Sequence, residues 1–269
     1  MSPPDLSSFL VLLLVGLLVG VTTVLFGFGG GFVTVPVITV ADAALGGDAV
    51  RVATATSALV MLVNAVVATL ATRRETLARL RGRGALFVLL GVGGALGAAV
   101  ARTAPGAVIR WGFVLYVAVT AVDLLARPGF LRPAPAAPGT ARAHGVPTGL
   151  GLPIGGIAAF LGVGGSVLTV PLMRRAGAPM PIAAALANPL TLVIVAPALL
   201  VSLLTRGHVP GGAGLVGSVD VVSALALLAG SLPVVVALRR RPPRIPEAVH
   251  AGTYIALLVA AGATVAVTG

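Results

Sequence analysis

The chain contains no cysteine and no lysine, so all eighteen of its basic side chains are arginine. Without cysteine there are no disulfides, thiolate metal sites or cysteine nucleophiles. Charged residues make up only 9% of 269 and aromatic residues 4%. Seven acids and three histidines remain for acid–base chemistry. They form no HExxH motif, no paired carboxylates and no Ser-His-Asp arrangement, and His144, His208 and His250 lie in loops or at a span end. The acids are likewise read as peripheral. An enzyme is therefore not expected, nor a cofactor or a metal site.

What is present is grease. Hydrophobic residues reach 58% and mean hydropathy is +1.10, which indicates an all-α integral membrane protein whose main surroundings are the lipid bilayer. The net charge of +11 sits in short loops between apolar spans, as topology signals do, so a nucleic-acid partner is not expected. Met1 to Ser8 holds no arginine ahead of the first apolar run. That makes a poor signal peptide, and the first helix is expected to remain in the mature protein.

One ten-residue stretch occurs twice. Gly27-Phe28-Gly29-Gly30-Gly31-Phe32-Val33-Thr34-Val35-Pro36 returns as Gly162-Val163-Gly164-Gly165-Ser166-Val167-Leu168-Thr169-Val170-Pro171, offset by 135 with six identities. Each copy interrupts a long apolar run. Irregular backbone at membrane depth is tolerated only inside protein or beside a cavity, and paired interruptions in two repeats point to a transporter's binding site. The bland reading of such clusters is close helix packing.

At these residues the chain resembles the sulfite exporter (TauE/SafE) family, also called the toluene sulfonate uptake permeases, over nearly its whole length. The resemblance implies a duplicated membrane transporter of small anions such as sulfite or organosulfonates. The second copy departs in reading Gly-Gly-Ser where the first reads Gly-Gly-Gly.

Phe9 to Val40 is almost continuously apolar. As one helix it would reach roughly 50 Å, against a hydrocarbon core of roughly 30 Å. A hairpin is expected instead: a helix over 7–26, a turn at 27–31 and a short returning helix over 32–40. Further spans are expected at about 51–71, 84–100 and 107–126, then a Pro/Ala-rich linker. The second half should repeat the plan, with a hairpin over 145–173 and spans at 181–204, 217–238 and 248–267. Two inverted repeats, 1–126 and 145–269, joined by a linker over 127–144, would each comprise a glycine-tipped hairpin plus three transmembrane helices. A hydropathy profile would count about eight helices.

Arginine decides between parallel and inverted halves. If the hairpins crossed the membrane, the loop arginines would divide nine against nine. If each hairpin returns to its starting side, fourteen face one side and Arg51, Arg102, Arg110 and Arg206 the other. The positive-inside rule selects the second arrangement and predicts both termini on the extracytoplasmic side of the cell membrane.

In that arrangement the two tips approach each other, and each is followed by a helix start with unpaired N–H groups that favour an anion. The candidate substrate-binding residues are Gly27, Gly29, Gly30 and Gly31 in the first tip and Gly162, Gly164, Gly165 and Ser166 in the second. Thr34 and Thr169 either donate to the substrate or back-bond to their own helices. Polar positions on the following spans, Ser57 and Asn64 in the first half and Asn188 and Thr191 in the second, complete the set. Thr54 shares the face of Ser57 and Asn64. Pro189 frees the carbonyl of Ala185, which offers either a ligand contact or a simple kink. The function expected is a secondary transporter of small sulfur oxyanions, working by alternating access around the paired tips. A cation-coupled carrier of another solute and a non-transporting membrane scaffold are the alternatives.

Overall fold

The computed structural model describes residues 6–41, 49–127, 129–131, 145–204, 215–216 and 219–267. In chain order the first half supplies α1 (Leu6–Phe26), α2 (Gly31–Ala41), α3 (Ala49–Leu70), the short α4 (Arg74–Leu77), α5 (Gly84–Thr103) and α6 (Gly106–Ala126). The second supplies α7 (Gly151–Leu161), α8 (Ser166–Arg175), α9 (Met180–Leu204), a two-stranded antiparallel ribbon of β1 (Leu215–Val216) and β2 (Val219–Asp220), α10 (Val221–Arg240) and α11 (Glu247–Val267). Among the described residues seven of these helices, α1, α3, α5, α6, α9, α10 and α11, are long and apolar enough to cross a membrane. At 1.5 Å per residue, α2 and α8 reach only about half of a ~30 Å hydrocarbon core.

The two hairpins are less alike than their sequences suggest. α1 has 21 residues, whereas α7 has 11, preceded by a single 3₁₀ turn at Thr148–Leu150. The span expected from residue 217 begins at Val221, because Asp220 caps α10 by accepting from the backbone N–H groups of Val222 (3.0 Å) and Ser223 (3.1 Å). Asp220 is buried, and its own N–H donates to Thr56 Oγ1 at 2.9 Å. This carboxylate is therefore an internal cap, contrary to the reading of every acid as peripheral. α9 continues as a helix through both Pro189 and Pro197.

Helix directions follow from paired contacts. Gly16 of α1 lies against Leu227 and Gly230 of α10, and Gly20, one turn on, lies against Ser231 and Val234, so α1 and α10 run parallel. α3 runs with them, since Thr56 meets Asp220 and Asn64 accepts from Ser231. α1 and α3 thus point the same way, and α2 must return between them. In the same manner Gly151 and Gly155 of α7 lie against Leu86 and Leu90 of α5, which sets α5 and α7 parallel. α5 follows α3 and points the opposite way, taking α7 with it. The second hairpin therefore enters from the face opposite to the first, and the halves are inverted.

This geometry places the ends of α3, α6, α8 and α10, with Arg73, Arg127, Arg174, Arg175 and Arg240, on one face, and Arg51, Arg102 and Arg110 on the other. The asymmetry read from the sequence is thus carried by the described arginines; Arg132, Arg142 and Arg206 lie outside them. So do His144, His208, the loop at 42–48 and most of the linker expected over 127–144.

Each hairpin's first helix packs on a span of the other half, α1 on α10 and α7 on α5. The contact surfaces are glycine faces with the backbones almost touching. A methyl group on Gly97 would overlap the carbonyl oxygen of Gly156, whereas one on Gly252 meets nothing within 4 Å. Overpacking of this kind costs about 1–3 kcal/mol. Gly97→Ala should therefore lower the detergent-solubilised unfolding temperature by several degrees and Gly252→Ala should leave it unchanged, as read by a thermal-shift assay.

Candidate functional site

Both hairpins turn through glycine because the turns need positive φ. α7 ends at Gly162 (φ 69°), with Val163 N–H bonding back to Ala158 O at 3.0 Å, a Schellman-type stop. Gly27 (φ 73°) ends α1, its N–H on Thr23 O at 3.2 Å. Gly29 and Gly164 are a second matched pair at φ 64° and 69°. The match then fails: Gly30 is at φ 101°, but Gly165 is at φ −81°. Only the first tip needs glycine for its dihedral at this third position.

The tips meet. A methyl group on Gly31 would approach Gly162 O to 2.8 Å, and Gly29 and Gly164 both face Met61 and Thr191. Ser57 Oγ, shared between Thr54 O (2.9 Å) and Gly162 O (3.2 Å), ties α3 to the second tip. Asn64 lies beside Gly30, and Asn188 Nδ2 donates to Ala184 O (3.1 Å) and weakly to Thr23 O (3.5 Å) at the base of the first tip. All fourteen residues singled out from the sequence are buried, and the contacts join them in one region around the tips.

Contacts at the two tips identify which residues are structural counterparts. Gly27 packs on Ala184 and Ala187 where Gly162 packs on Thr54 and Ser57; Gly30 has Val19 and Asn64 where Gly165 has Ile154 and Ile194. Thr54 thus corresponds to Ala184, Ser57 to Ala187, Met61 to Thr191 and Asn64 to Ile194. At each of these positions one half is polar and the other apolar. The polar residues of α3 and α9 are therefore not copies of one another, but interleaved contributions to one shared region.

Hydroxyl bonding separates the two threonines. Thr34 Oγ1 back-bonds to Gly30 O at 2.9 Å. Thr169 Oγ1, its counterpart, has no hydrogen-bond partner among the described residues, and neither do Ser166 Oγ, Thr191 Oγ1, Asn64 Nδ2 or Asn188 Oδ1. Buried polar atoms left unpaired cost about 1–3 kcal/mol each, and these five belong to residues around the tips. The Gly-Gly-Ser departure also has a steric cause. A side chain at position 31 would run into Met61 and Gly162 O, whereas the counterpart of Met61 on the other side is the smaller Thr191.

Aromatic residues surrounding the tips were not legible as a group. Phe28 stacks at an angle on Phe32 (5.1 Å) and Tyr254 (4.9 Å), and Phe32 stacks on Phe113 (5.6 Å). Phe130, expected in the linker, is buried against Tyr254 at 5.2 Å. The Tyr254 hydroxyl lies within reach of Ser166 O (3.4 Å) and Val167 O (3.3 Å). Pro171 explains the second contact: it has no N–H to offer the carbonyl four residues back, and the tyrosine supplies the donor. The chain's one sequence hint was Pro171 itself.

On the arginine-rich face the second hairpin is tied down by ion pairs. Arg174, wholly buried, pairs with Glu247 and donates to Phe130 O, and Arg175 pairs with Asp123 at 2.7 Å. Asp123 also pairs with Arg127, four residues on, at 3.1 Å. His250 lies in the first turn of α11 and is buried, with Nε2 at 2.7 Å from Leu25 O.

The link between Tyr254 and Pro171 is testable by a double-mutant cycle. Tyr254→Phe should cost about 1 kcal/mol of stability. Pro171→Ala restores an N–H for Val167 O, so in that background the cost of Tyr254→Phe should shrink measurably in thermal denaturation.

A family model, sulfite exporter TauE/SafE, matches residues 12–265 of the chain. No curated protein and no solved structure matches it.

Proposed function

Because the chain belongs to the sulfite exporter TauE/SafE family, we propose that it is a secondary transporter of small sulfur oxyanions, sulfite or short organosulfonates, which bind where the two glycine tips meet. That it is a multi-pass membrane protein of a transporter family, and not of an enzyme family, is plain from the match and its seven apolar helices. The observation that carries the substrate reading is the convergence of two buried helix starts, α2 and α8, on one region that also holds unpaired hydroxyl and amide groups. Helix N-termini favour negative charge, each by ~0.3–1 kcal/mol when exposed and up to ~2 kcal/mol when partly buried. Two helix starts with neutral donors bind an anion with modest affinity, which suits a carrier that must release its load. Alternating access would follow from rocking the two inverted halves against each other around the tips. Domain limits at 1–126 and 145–269 belong to this reading.

In proteoliposomes sulfite or methanesulfonate should be carried, while Na⁺ alone and organic cations should not. Cation flux that persists with every oxyanion absent would falsify the reading in favour of a cation carrier.

We also assign the arginine-rich face to the cytoplasm of the cell, with both termini outside. The chain's lack of cysteine allows single-cysteine labelling without background. Thr103→Cys and Val267→Cys should react with an impermeant maleimide on intact cells, and Arg79→Cys and Arg240→Cys should not. The reverse pattern would invert the assignment.

A further inference from the structure

We infer that the two tips divide the work unequally: the second tip, at the start of α8, holds the anion, and the first serves as its structural counterpart. This rests on the reading of the tips as the anion site. It concerns which side chains bind and what headgroup they fit.

Of the five unpaired polar atoms at the tips, the three hydroxyls all come from the second half. Ser166 is the first residue of α8, and Thr169 follows it at i+3, so both lie on one face of that helix. Thr191 of α9 faces the second tip through its hydroxyl, with Oγ1 3.5 Å from where a Gly164 Cβ would stand, and turns its methyl to Gly29 of the first. All three residues are fully buried. A hydroxyl facing hydrocarbon or protein without a partner is costly, and a threonine in a helix ordinarily avoids this by back-bonding. Thr34 does so, and Thr169 does not, though their sequence surroundings are nearly identical.

The first tip is occupied by other tasks. Its serine-equivalent position is Gly31, which has no room for a side chain beside Met61 and Gly162 O. Its threonine hydroxyl is spent on Gly30 O. Phe28 and Phe32 lock it into the aromatic cluster with Tyr254 and Phe113. Of the five atoms counted at the tips, the first half supplies the amide Nδ2 of Asn64. Asn188 Oδ1, an acceptor, has nothing to offer an anion and takes no part.

Three hydroxyl donors beside one helix start, with glycine backbone between them, suit a headgroup carrying three equivalent oxygens. Each oxygen of a pyramidal sulfite or of a sulfonate takes one O–H, and the helix start answers the charge. The Tyr254 hydroxyl, which holds the carbonyls of Ser166 and Val167, acts as a positioning group for α8 and does not contact the ligand.

The matched threonines provide the test. Binding of sulfite and methanesulfonate to the purified full chain would be measured by calorimetry, with monodisperse elution as the folding control. Thr169→Val should weaken both by about tenfold, the loss of one hydrogen bond to a charged group, and Thr169→Ser should restore binding to near the original value. Thr34→Val, the same change at the mirror position, should leave affinity within about twofold. Equal losses at both threonines would overturn the division of labour while sparing the anion site. Loss at neither, with the unaltered protein binding normally, would remove the hydroxyls from the site altogether. Acetate, with two oxygens, should bind more weakly than methanesulfonate; equal affinity would overturn the three-hydroxyl assignment. If the unaltered chain binds no oxyanion, the proposed function itself fails and this inference falls with it.

Discussion

In hydrocarbon an unpaired backbone amide has no water to turn to, and the whole arrangement depends on that constraint. A chain that breaks a helix at membrane depth must bury the break in protein. Here each of two breaks is buried against the other, with Gly31 so close to Gly162 O that no side chain fits between them. α3 and α9 then flank the pair and supply Ser57, Met61 and Thr191 as contacts. The remaining carbonyls find donors from afar, as when Tyr254 reaches the oxygen that Pro171 leaves without one.

Without a hydrophobic drive between helices in lipid, association relies on close packing. The glycine faces of α1, α10, α5 and α7 provide it, because a residue without Cβ lets one backbone lie on another. These contacts tie each hairpin to the opposite half. The tips are therefore positioned by both halves together, and the ion pairs of Arg174 and Arg175 add a further hold at one face only.

Much of this was legible in the sequence. The two helix breaks, the short returning helices and six of the seven long spans came from apolar run length and glycine punctuation, with ends within a few residues. α10 started late because the capping role of Asp220 depends on Thr56, a residue far away in the chain. The inverted direction was visible in where arginine falls. What the sequence concealed was correspondence across the halves. Asn64 and Ile194 share no local pattern, and only contact with Gly30 and Gly165 reveals them as counterparts. The aromatic cluster was hidden for the same reason: Phe28, Phe113, Phe130 and Tyr254 lie on four separate segments with no common spacing. Thr34 and Thr169 sat in matching text, and a hydroxyl's choice of partner is a matter of rotamer that text does not record.

The pairing of α1 with α10 bears on how the protein is made. During synthesis α1 enters the bilayer long before α10, the helix that covers its glycine face. In the interval that face has only lipid, or another nascent chain, to lie against. α5 waits a shorter time for α7. Between the two insertions α1 presents a glycine surface without the partner that covers it in the folded protein.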